Sequence, residues 1–329
     1  MNALRWWGGI LLAWGVVAAS TVFLPLPFII EVVIFSIYTM GCNFLLGRVG
    51  FISFGQPAYL AAGAYGTAFY MFYFGTNPYI GLLIGVLSGL GLSAIVGPLF
   101  VRLRSDYFAL VNLALAVIMF YLMQKVLVDF TKGDNGLWYL TNIASTPVLD
   151  ISKRTHFLAF ALICAVLVWG FYKYIDDSIY GACCLATKVN EDKLLFLGYS
   201  NYSVRLLAFI IANTTTAFAG ALYAVYLGFV SPEITSPARA ADPVVVTILG
   251  GTGTLFGPLV GAIAYTGMKD VISKLIGNWE LFIGFLLVFI MLAGEKGIWG
   301  SLQPYLERLF SRRKRAQQAV AAQTTGTAR

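Results

Sequence analysis

Ten apolar runs, at 7–24, 28–46, 58–75, 79–101, 107–128, 157–174, 204–229, 243–251, 255–270 and 280–295, take up most of this 329-residue chain. About 20 such residues wound as a helix reach roughly 30 Å, the thickness of a bilayer's hydrocarbon layer. Charged residues are only 11% of the chain and hydrophobic ones 59%, with a mean hydropathy of +0.80. Soluble domains carry about a quarter charged residues, so the chain reads as an all-α polytopic membrane protein. The ten runs predict ten transmembrane helices within residues 1–300, one of them short and broken or re-entrant. Residues 301–329 read as a basic cytoplasmic tail whose end, AQQAVAAQTTGTAR, has too little apolar surface to fold.

Basic residues set the orientation, because cytoplasmic loops retain Lys and Arg. With the N-terminus inside and every run crossing, 15 of the 22 basic residues fall at the inner face, including Arg48, Arg102, Arg104, Lys188, Arg205 and the SRRKR run at 311–315. Lys125, Lys132, Lys153, Arg154, Arg239, Lys269 and Lys274 fall outside. Both termini are then cytoplasmic. An even number of crossings must separate the polar stretch at 175–203 from the tail, so the short run at 243–251 has to count as one. Nine helical residues reach only about 13 Å, and Gly250-Gly251-Thr252-Gly253-Thr254 breaks the helix behind them. Asp242 is expected at its N-cap and Pro243 in its first turn. Irregular backbone at that depth must be buried in protein or line a wet cavity, which makes this half-helix a candidate pathway wall. The opening MNALRWWGGILLAWGVVAAS imitates a secretory signal. Its hydrophobicity continues through Phe23 and Leu24 behind Trp6 and Trp7, so an uncleaved first span is predicted.

The stretch IDDSIYGACCLATKVNEDKLLFLGYSNYS at 175–203 interrupts the oil. Asn190-Glu191-Asp192-Lys193-Leu194-Leu195-Phe196-Leu197-Gly198 reads as a short amphipathic helix stopped by glycine. Joining two spans needs only a few residues, so a structured insert implies a partner outside the lipid.

Other motifs have structural readings. Gly81, Gly85 and Gly89 recur every four residues, and Gly257 and Gly261 repeat the interval; such small-residue ridges serve close helix packing. The run GGTGTLFG lacks the lysine and following Ser or Thr of a phosphate-binding loop, so ATP hydrolysis is expected on another subunit. Four cysteines without metal-ligand spacing read as buried small residues or reduced thiols. A single histidine and no carboxylate cluster argue against a metal or hydrolytic site. Asn43, Asn112, Asn213 and Thr214-Thr215-Thr216 are the polar residues within spans, bonded to neighbouring helices or facing solute. A pathway without buried charge suits a neutral or zwitterionic solute. Glu31 is read as solvated at the outer end of the second span. Ser105-Asp106 is expected to cap the fifth span, and Lys132-Gly133-Asp134-Asn135-Gly136 lies in a long outer loop that offers a docking surface.

Five ordered segments carry a resemblance: NFLLGRVGFISFGQPAYLAAGAYG (43–66), SDYFALVNLALA (105–116), NEDKLLFLGYSNYSVRLLAF (190–209), AGALYAVYLGFVSP (219–232) and VVVTILGGTGTLFGPLVGA (244–262). Together they resemble the LivM-type permease subunits of branched-chain amino acid ABC importers, from about residue 30 to 295. The resemblance implies a transporter subunit of the bacterial plasma (inner) membrane that performs no covalent chemistry. It implies a second, LivH-like permease, two cytoplasmic ATPases carrying ATP and Mg, an extracytoplasmic substrate-binding protein, and no nucleic acid. The 175–203 loop would hold the helix that couples to an ATPase, through Asn190, Glu191, Asp192, Leu194 and Gly198. Candidate pathway residues are Asn43, Asn112, Asn213, Thr214, Gly250, Gly251, Thr252 and Gly253. The chain departs from the family where a basic R-A-I-R-like run gives way to Cys184-Leu185-Ala186-Thr187-Lys188, and where KGDNG replaces a T-G-G-x-x-G pattern. Importers of urea, short amides or other small neutral solutes share these features; an ATP-independent channel or secondary carrier is the rival from another class.

Overall fold

The computed structural model describes residues 3–22, 24–139, 154–275, 284–285 and 297–301. The run predicted at 280–295, the tail at 302–329 and most of the outer loop beyond Tyr139 lie outside them. Twelve α-helices occur among the described residues. They are α1 (Ala3–Ala19), α2 (Leu26–Phe44), α3 (Gln56–Phe69), α4 (Pro78–Phe100), α5 (Ser105–Tyr121), α6 (Val128–Thr131), α7 (Arg154–Asp177), α8 (Ile179–Val189), α9 (Glu191–Phe196), α10 (Asn201–Leu227), α11 (Asp242–Gly250) and α12 (Gly257–Leu275). Nine of the ten predicted runs are therefore helical. Among the described residues, five helices have both the length and the apolarity to cross a bilayer. Helices α2, α3 and α5 each end in a π-helical turn, at Leu45–Val49, Tyr70–Phe74 and Leu122–Val126.

The 27-residue α10 is the central post of the bundle, with α2, α3 and α4 packed around it. Lipid tails are as apolar as leucine, so helices in a membrane associate by close packing. Here the approach is limited by backbone. A methyl group on Gly63 would collide with the Ala217 carbonyl, and one on Gly220 with that of Leu60. The predicted glycine ridge of α4 serves the same purpose: Gly85 abuts Thr67 and Gly63, and Gly89 abuts Ala217. Gly257 and Gly261 of α12 likewise press on the backbone of Gly251 and Val246.

Helices α2 and α12 run antiparallel, since Phe35 stacks on Tyr265 at 5.4 Å while Asn43, nearer the other end of α2, bonds Thr254. The N-terminal α1 leans on α7 through an edge-to-face pair of Trp14 and Trp169, 5.0 Å apart. Two expected caps shift by one residue: α5 starts at Ser105 with Arg104 at the cap, and α11 starts at Asp242 with Ala241 there. In both cases proximity to the helix was legible but the turn of backbone that begins it was not.

The described part of the loop after α5 is tied to the bundle. Leu137 and Trp138 form β1, which pairs antiparallel with β2 (Phe229–Val230), the segment just after α10. Tyr139 is fully buried and donates its hydroxyl to the Ala224 carbonyl at 2.8 Å. Within KGDNG, Asp134 accepts from Gln124 at 2.7 Å, tying the turn to α5's end.

Substituting Gly63 or Gly220 with leucine is expected to overpack the α3–α10 contact and cost about 2–3 kcal/mol, lowering the melting temperature of detergent-solubilised protein. Gly91→Leu, at a position with nothing within 4 Å, should leave it near that of the parent.

Candidate functional site

The polar insert folds into two helices, α8 and α9, hinged at Asn190. Ser178 caps α8, accepting from the Gly181 amide at 3.3 Å. Asn190 is extended, with φ −161° and ψ 106°, and closes α8 by donating its amide to Ala186 at 2.9 Å. Helix α9 then stops at Gly198, whose φ of 82° is a left-handed conformation that an L side chain resists.

Leu194 is only 1% exposed and acts as the anchor of α9. Glu191 accepts from the Arg205 guanidinium and, at 2.8 Å, from the Asn201 side-chain amide, which ties the start of α9 to the first turns of α10. Arg205 also lies 4.9 Å over the ring of Phe51, giving it cation–π support. Two of the residues expected to contact an ATPase are thus turned toward their own chain. The solvent-facing side is Leu195, Phe196 and Leu197, with Phe196 90% exposed. Four consecutive apolar residues, Leu194 to Leu197, have no readable periodicity, so the sequence could not say which of them faced in.

The insert is also fastened to α2. Asp176, at the end of α7, pairs with Arg48 at 2.7 Å. Lys188 of α8 donates to the Gly47 carbonyl at 3.3 Å. Gly47 and Arg48 belong to the π-helical turn that ends α2. All four cysteines are buried, and burial pushes the Cys184 thiol of α8 up to about 11, so little thiolate forms at neutral pH.

One turn before Gly47 stands Asn43, 4% exposed. Its amide closes the break between α11 and α12, donating to the Thr254 carbonyl at 3.0 Å and accepting from the Gly253 amide at 2.9 Å. Gly253 has φ 72°, and its backbone lies where a side chain on Gly47 would go. Thr252 and Gly253 thus lie against Asn43 and Gly47, whereas Gly250 and Gly251 pack on Gly257 and Gly261 of α12. The small cleft beside them, lined by Asn43, Arg48, Asp176 and Gly253, holds about 10 Å³, no more than one water.

The remaining candidates do not join them. Asn112 is fully buried against Gly55 and donates to its own helix at Phe108, 2.9 Å away. Thr214 lines an apolar groove with Leu90, Phe171 and Phe218. Asn213 is fully buried with neither amide atom hydrogen-bonded among the described residues. One turn later Thr216 donates to Gln56 at 2.6 Å, and the other amide atom of Gln56 is likewise unmatched. Among the described residues no His, Cys, Asp or Glu are grouped as a metal would need.

Residues 24–291 match the family described as branched-chain amino acid transport system / permease component. The high-affinity branched-chain amino acid transport system permease protein LivM of Escherichia coli K12 is 27% identical over 296 residues, covering 83% of this chain and 69% of that protein. LivM of Salmonella typhimurium LT2 is 27% identical over 308 residues, 87% of this chain and 72% of that protein. LsrC, an autoinducer 2 import system permease protein of Yersinia pseudotuberculosis, is 28% identical over 181 residues, 53% of this chain and 49% of its own length. No solved structure matches. With the family match running from before α2 to beyond α12, this chain belongs to the branched-chain amino acid transport system / permease component family.

Proposed function

We propose that the chain is one of two permease subunits of an ABC importer for branched-chain or related amino acids. It sits in a bacterial inner membrane with its termini and the 175–203 insert on the cytoplasmic side. A second permease, two ATPases that bind ATP and Mg, and an extracytoplasmic binding protein complete the assembly. The observation that carries this reading is the insert itself: α9 is anchored inward by Leu194 and Glu191 and offers Leu195, Phe196 and Leu197 to the cytosol. An apolar triad on a polar insert fits the groove of a soluble partner, where buried aromatic residues supply most of the binding.

The chain transmits motion and makes no bond. ATP closes the paired ATPases and displaces α9. Glu191–Arg205 passes the displacement to α10, while Lys188 and Asp176 pass it to the end of α2. Asn43 then carries it to the break between α11 and α12, and the pathway opens in turn to each side. ATP and loaded binding protein bias one conformational equilibrium. The solute is left open by the relatives: the LsrC name speaks of autoinducer 2, so the ligand that raises the melting temperature of the cognate binding protein identifies it.

Phe196→Glu together with Leu197→Glu should reduce uptake at least about tenfold and abolish co-purification of the ATPases, since loss of an interface anchor costs about 2 kcal/mol or more; the protein itself stays in the membrane. Unimpaired uptake by this variant sinks the coupling assignment. Leu197→Cys should react with a membrane-impermeant maleimide in inverted vesicles and stay unlabelled in intact cells, the four native thiols being buried; labelling from outside reverses the orientation. Asn43→Leu leaves a carbonyl and an amide unmatched, at about 2–4 kcal/mol. It should leave the ATPases bound and hydrolysing while uptake falls, a split read by parallel ATPase and transport assays on the reconstituted complex.

A further inference from the structure

Helices α4 and α7 both lean on α10 but part from each other toward the insert. At their far ends Tyr79 of α4 and Phe160 of α7 meet edge-on, with ring centroids 6.2 Å apart. About three turns further along, each helix is tied to α10 separately. Gly89 of α4 abuts Ala217, while Tyr172 of α7 donates its hydroxyl to Thr215 at 3.0 Å. Between these two seams lies a groove of about 320 Å³. Val86 and Leu90 wall it on one side and Val168 and Phe171 on the other, with Ile210 and Thr214 on its floor. None of the residues lining it is charged.

Depth, size and chemistry choose among its occupants. Leu90 stands about 15 Å of helix from the end of α4 at Phe100, half the thickness of the hydrocarbon layer. Next to the lining, on the same helices, Leu87, Ile163 and Leu167 are each more than half exposed. The groove is therefore continuous with the aliphatic surface that these spans turn to lipid. A transmembrane helix seated here would need glycine or alanine on the walls to approach closely, and neither lines it. The glycine ridge of α4 is already used against α3 and α10. In volume the groove is about twice an apolar cavity that accepts benzene, so it takes roughly a dozen carbon atoms. One flexible chain of methylenes matches that volume, whereas apolar walls of this kind stay dry. Narrowed at its far end by Tyr79 and Phe160, the groove admits the chain from the leaflet on the insert's side.

We propose that this groove is a seat for one acyl chain of a membrane phospholipid, drawn from the leaflet that borders the insert. Leu90 and Phe171 flank the chain, and Ile210 and Thr214 support it from α10. Thr214, a candidate pathway residue in the sequence, then belongs to the lipid side of the central post. The proposal needs only that the chain spans a bilayer and is independent of what it transports.

The test is photolabelling. The full-length chain, with the subunits that accompany it, is reconstituted into vesicles of phosphatidylethanolamine and phosphatidylglycerol. These carry a trace of phosphatidylethanolamine with a diazirine midway along one acyl chain. The protein is extracted again and washed in dodecyl maltoside, which strips loosely held lipid, then irradiated and mapped by mass spectrometry. Adducts on Leu90, Phe171 and Ile210 should exceed those on Ile95 and Ile163, open positions of the same helices, by at least about threefold, as several extra dispersion contacts would give. Val168→Trp, which fills the groove, should bring them down to the Ile95 level; Ile211→Phe takes its place should that variant fail to assemble. Equal labelling of the two sets, or none, overturns the seat, as does groove labelling that the filled variant leaves unchanged. Groove adducts that appear only once the accompanying subunits are stripped away give the groove to a protein partner and also refute the proposal.

Discussion

Between α11 and α12 the backbone leaves helical geometry inside the bundle, and a single side-chain amide makes that tolerable. Nothing in a hydrocarbon layer can bond a stray amide or carbonyl, so a broken helix is stable only where protein supplies the missing partners. Asn43 supplies one donor and one acceptor to Thr254 and Gly253. Because it stands one turn above the π-helical end of α2, the same helix that closes the break also meets Arg48–Asp176 and Lys188. The break between α11 and α12 and the polar insert thus share one support in the end of α2.

Close helix packing is the second requirement. Gly63, Gly220, Gly85 and Gly89 let α3 and α4 approach α10 until backbone meets backbone. Dispersion over such a contact is what holds helices together where burial from water gives no advantage.

Much of this was legible in the chain. Apolar runs placed nine helices to within a few residues, the nine-residue α11 among them, and Asn190 to Gly198 announced a short helix with a glycine stop. Each of those signals is local. What the sequence concealed was pairing over distance: Asn43 with a loop 210 residues on, Glu191 with Arg205 across the Gly198 turn, β1 with β2, and four charges from four segments around one cavity. Charges at helix ends look alike whether they face water or each other. Lys269, beside Asp270 in α12, and Asp242, in the first turn of α11, read as ordinary helix-end charges, and only folding brings them together. The cap positions slipped by one residue because Ala241 and Arg104 carry no side chain that marks them as caps.

The division of labour within α9 has an evolutionary corollary. Residues that fix its pose, buried Leu194 and ion-paired Glu191, contact their own polypeptide, whereas Leu195, Phe196 and Leu197 stand exposed. Changing those three leaves the permease's internal architecture untouched. If α9 docks an ATPase as proposed, a lineage can exchange one motor for another by rewriting a surface three residues wide.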